Sequence, residues 1–100
     1  PIIWQQIIIM KINDKIITFH PNGKQVVRID KNKYDIIRES IIQAIQSKPS
    51  SFTDITKFVK NELGQTFDGS INWYTVTVKL DLEARNEIYR NSGNPETYSY

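Results

Sequence analysis

From Lys31 to Ser47 apolar side chains recur at Tyr34, Ile37, Ile41, Ala44 and Ile45. That three-and-four spacing lines one face of a helix, and Asp30 stands where a cap would open it. Upstream, Lys15–Phe19 and Gln25–Ile29 are short runs rich in β-branched residues around His20-Pro21-Asn22-Gly23. A Pro followed by Asn-Gly supplies the fixed and the positive φ angles of a tight turn, so this stretch predicts a β-hairpin. Lys48-Pro49-Ser50 breaks the chain after the helix, and either Ser51 or Thr53 can cap a second helix with Ile55, Phe58, Val59 and Leu63 on one side and Gly64 at its stop. Ser70 is a further cap candidate.

The stretch from Ile71 to Arg85 satisfies two periods at once. Tyr74, Val76, Val78, Leu80, Leu82 and Ala84 alternate with polar residues, which is the period of a strand. At about 100° per residue, Trp73, Val76, Thr77, Leu80 and Ala84 also form one coherent helical face. If that face is turned to the core, Ile71, Val78 and Leu82 emerge on the opposite side and leave the helix apolar twice over.

The residues that follow decide for the helix. Leu82-Glu83-Ala84-Arg85-Asn86-Glu87-Ile88-Tyr89-Arg90 resembles the end of the recognition helix and the start of the wing in winged-helix regulators of the multiple-antibiotic-resistance type. In that pattern a last apolar residue docks, a left-handed residue reverses the chain, and an apolar residue enters the wing. Asn86 stands where those regulators carry Gly, and Asn tolerates the left-handed region better than other residues with a side chain. Asn91 to Pro95 then reads as the wing tip and Glu96 to Tyr100 as the returning strand. The chain is also similar to a group of short bacterial proteins carrying the block Trp73-Tyr74-x-x-x-Val78-Lys79-Leu80-Asp81-Leu82-Glu83-Ala84, a likeness that implies a fold and brings no activity with it.

The fold expected is therefore mainly α with small β, an α+β winged helix. Three helices and a C-terminal β-hairpin wing occupy residues 31–100, and an N-terminal β-hairpin occupies residues 10–30. Residues 1–9 read either as a segment foreign to the natural protein or as an upstream extension, and as a native segment Ile7–Ile9 would need a partner edge. With 100 residues, one core is the default. The absence of cysteine excludes disulfides and thiolate chemistry and points to a cytoplasmic setting. Neither an export signal nor a membrane span is expected, because Pro1 to Met10 is apolar but short and lacks a basic start.

A net charge of +2 leans only weakly toward nucleic acid. Candidate chemistry is sparse. The single histidine, His20, falls in a turn and is expected to be solvated; Asp81 and Glu83 read as surface charges, with pairing to Lys79 and Arg85 as the next reading. No catalytic set, metal site, cofactor motif or small-molecule substrate is expected. Trp73 is expected in the core rather than as a stacking platform. Two functions compete. As a helix-turn-helix domain on double-stranded DNA, the chain would use Asn72, Thr75 and Lys79 at base edges and Lys57, Lys60 and Arg90 at phosphates. As a protein-interaction or homodimerisation module, it would dock through Ile71, Val78 and Leu82, unless the hairpin covers them.

Overall fold

The computed structural model describes residues 14–100; the apolar segment Pro1 to Met10 lies outside them. Strands β1 (Lys15–Phe19) and β2 (Gln25–Asp30) pair antiparallel with Ile16 opposite Ile29, and Gly23 closes the turn at φ 91°. Helix α1 (Lys31–Ile45) follows without a break. Asp30 occupies the cap position but its side chain makes no cap bond, and the first helical N–H, that of Lys31, donates to the Asp14 carbonyl at 3.1 Å. Tyr34, Ile37, Ile41 and Ile45 are buried, as their spacing requires.

Ser51 opens α2 (Phe52–Leu63), its hydroxyl accepting from the Asp54 N–H at 3.2 Å. The residues before it form an element that no local pattern announces. Ser50–Ser51 is a two-residue strand, β3, which pairs with the last strand of the chain. Ser70 caps α3 (Ile71–Ala84) through the Trp73 N–H, and this settles the double period of the segment in favour of the helix. Lys79–Glu83 and Asp81–Arg85 pair directly at an interval of four, which only a helix allows, while Val78 and Leu82 enter the core.

The reversal after α3 follows the expected chemistry. Asn86 takes φ 61°, and the N–H groups of Glu87 and Ile88 both donate back to the Leu82 carbonyl. Strands β4 (Tyr89–Asn91) and β5 (Thr97–Ser99) then form a hairpin, and β3 joins them in a sheet of order β3-β5-β4. The architecture is a small α+β fold: three helices around a core of Ile37, Ile41, Ile55, Val59, Val78 and Leu82, a hairpin before them and a three-stranded sheet after.

Candidate functional site

Helix α3 is enclosed on three sides, and successive residues sort onto those sides by the 100° step. The innermost side carries Thr75, Val78 and Leu82, all fully buried, with Val78 and Leu82 in the core shared with α1 and α2. This reverses the expected phase. Val78 and Leu82 are fully buried and form no outer docking face, and Ile71 is half-buried against the same core. The reason lies in the neighbours: α1 and α2 pack against the side on which Val78 and Leu82 stand four apart.

A second side carries Asp81 to the hairpin. Its carboxylate is wholly buried and accepts from the Phe19 N–H at 2.9 Å, from Arg85 Nε at 2.8 Å and from the Tyr34 hydroxyl. Arg85 also stacks over the Phe19 ring, 5.7 Å from its centroid, and donates to the Ile17 carbonyl. Burial, with the hydrogen bond to Asp81 after it, pushes the Tyr34 hydroxyl well above its ordinary pKa, so it remains a donor. The bond to Asp81 likewise raises the Arg85 guanidinium.

The third side carries Lys79 to the C-terminal sheet. Lys79, 4% exposed, donates to Glu83 Oε2 at 2.9 Å and to the Tyr98 hydroxyl at 3.1 Å, and its ammonium lies 4.3 Å from the Tyr98 ring centroid and 5.4 Å from that of Phe52. Glu83 Oε1 accepts from Arg90 Nε at 3.0 Å, and Arg90 also reaches Glu96 at 3.6 Å. Asp81 and Glu83 are therefore not surface charges. Each is the hub of a buried network, as a charge closed off from water must be, and the pairing to Lys79 and Arg85 is the arrangement found.

What remains is the outward side, where Trp73, Val76, Leu80 and Ala84 stand at intervals of three and four between the hairpin-facing and sheet-facing charges. Trp73 is 44% exposed and the other three are partly buried. Of the face expected in the core, Thr77 is buried, Trp73 is exposed, and Val76, Leu80 and Ala84 are only partly covered. Trp73 meets the Tyr74 ring edge-on at 4.9 Å, and Tyr74 meets Phe67 at 5.1 Å, with the Lys33 ammonium above both inner rings.

The proposed DNA-contacting residues scatter under this geometry. Thr75 and Lys79 are buried and cannot meet base edges, while Arg90 is engaged by two carboxylates. Asn72 is exposed at the start of α3, and Lys57 and Lys60 are exposed on α2. His20 accepts the Asn22 N–H at 3.1 Å within its turn. Among the described residues no group of His, Asp or Glu is placed to hold a metal ion, and no helix is long and apolar enough to cross a membrane.

The profile of a family of unknown function (DUF6958) matches residues 15–98, from the first strand of the hairpin to the last strand of the sheet. No curated protein and no solved structure matches the chain.

Proposed function

We propose that this chain, which belongs to the family DUF6958, is a winged-helix protein-interaction domain that pairs with a second copy of itself through the outward side of α3. One observation carries the reading. Among the described residues, the side of α3 turned away from the hairpin, the core and the sheet presents exposed Trp73 with partly exposed Val76, Leu80 and Ala84, apolar along its length, where a reader of base edges needs polar groups. The succession of three helices and a hairpin, with β3 tied to that hairpin, supports the winged-helix assignment.

The stripe suits a two-fold partner because its ends differ in size. With two α3 helices antiparallel, the Trp73 indole of each copy lies over the small Ala84 of the other, and Val76 and Leu80 cross at the centre. Large against small lets the helices approach closely. A single helix stripe stands below the roughly 800 Å² per partner of a standard stable interface, so the pair is weak and concentration-dependent.

Solution mass measured from micromolar to millimolar concentration, at low and high salt, tests the reading together with titration by a generic DNA duplex. The expected outcome is a monomer–dimer transition that added salt does not weaken and that Leu80→Asp abolishes while the fold is retained. A monomer at all concentrations overturns it. Salt-sensitive duplex binding without self-association would transfer the function to Lys57, Lys60 and Asn72 instead.

A further inference from the structure

One cleft of the described residues takes none of its walls from α3. The cleft, about 350 Å³, lies between α1 and the end of α2, with Ile36 and Leu63 as its apolar surface and Asp35, Glu39 and Glu62 as its charged walls. Ser40 and Gln43 of α1 complete its lining. Lys31 pairs with Asp35 at 2.9 Å and Gln43 donates to Glu39 at 3.4 Å, which leaves the three carboxylates offset by one exposed ammonium. Ile36 is 46% exposed beside them, although it is large and apolar.

Ser40 supplies the independent observation. The residue is 4% exposed, it lines the cleft, and its Oγ has no hydrogen-bond partner. A serine inside a helix ordinarily satisfies its hydroxyl on the carbonyl four residues back; here it does not, and a buried polar atom without a partner destabilises the fold that contains it.

We propose that this cleft binds a small organic ammonium ion with an aliphatic body. An ammonium group has three donors and no acceptor, which matches an unpartnered hydroxyl oxygen among carboxylates. The aliphatic body covers Ile36 and Leu63, and the volume is at the small-molecule end of ligand sites, too small for a helix. An anion is repelled by the same walls, and a neutral alcohol gains only the apolar contact.

Titration of the full chain with n-hexylammonium, n-hexanol and n-hexanoate, followed by backbone-amide NMR, tests the assignment. Saturable shifts at Ile36, Ser40 and Leu63 are expected with hexylammonium, weaker ones with hexanol and none with hexanoate. Glu39→Gln combined with Glu62→Gln, on the exposed rim, lowers the ammonium affinity by about five-fold, from two exposed pairs. Ser40→Ala lowers it further without loss of stability, since it removes an unsatisfied hydroxyl. Equal shifts from hexanol, shifts that never saturate, or an affinity unchanged in the double variant would each overturn the proposal.

Discussion

Replacing Asp81 by alanine probes the junction where the hairpin, α1 and α3 meet. The carboxylate is fully buried and collects donors from Phe19, Tyr34 and Arg85. Its removal strands two of them, the Phe19 N–H and the Tyr34 hydroxyl, whereas the partly exposed Arg85 side chain regains water. Each stranded buried donor costs about 1–3 kcal/mol, partly offset because the carboxylate no longer has to be desolvated. The net expectation is a loss of about 2–4 kcal/mol, which for a domain of this size lowers Tm by roughly 10–25 °C. Urea unfolding followed by tryptophan fluorescence and circular dichroism measures it, and Tyr34→Phe completes a double-mutant cycle with a coupling above about 1 kcal/mol. An Asp81→Ala protein within about 0.5 kcal/mol of the parent would refute the reasoning, since a carboxylate that holds three elements together cannot be silent.

The Tyr34 hydroxyl gives a pH test. Its pKa is raised in the fold, so the folded state keeps a proton that the unfolded state loses above about pH 10, and stability falls as pH rises past that point. Thermal melts from pH 8 to alkaline pH should show Tyr34→Phe losing less stability than the parent over that range; parallel curves would contradict it. On the other side of α3, Lys79→Ala leaves Glu83 buried with Arg90 alone and removes the ring contacts to Tyr98 and Phe52. A loss of about 2–4 kcal/mol is expected in denaturant unfolding, with Lys79→Met recovering part of it by packing; an unaffected midpoint would mean the cluster contributes nothing.

Much of this arrangement was legible in the residues. The spacing in α1, the turn at Asn22-Gly23, the caps at Ser51 and Ser70, and Asn86 as the left-handed reversal all rest on local chemistry, and local chemistry fixes them. The phase of α3 was not legible, because Trp73, Val76, Leu80 and Ala84 make as good an apolar face as Val78 and Leu82 do; only the positions of α1 and α2 choose between them. The strand Ser50–Ser51 was hidden for the same reason, its partner Tyr98 lying far along the chain. One signal in the sequence did mark the buried networks. Lys79, Asp81, Glu83 and Arg85 interrupt an otherwise apolar helix with opposite charges four apart, and Tyr34 and Tyr98 supply aromatic hydroxyls for them.

That phase is also what the proposed pairing surface depends on, and a chain without cysteine permits a direct reading of it. Single cysteines at Val76, Leu80 and Ala84, and for comparison at Thr75 and Val78, are reacted with a thiol reagent in dilute and concentrated protein. The account predicts fast labelling of the first three in dilute solution, slowing as concentration rises, and protection of the last two throughout. Rapid labelling at Thr75 and Val78, with Val76 and Leu80 protected even in dilute protein, would contradict it.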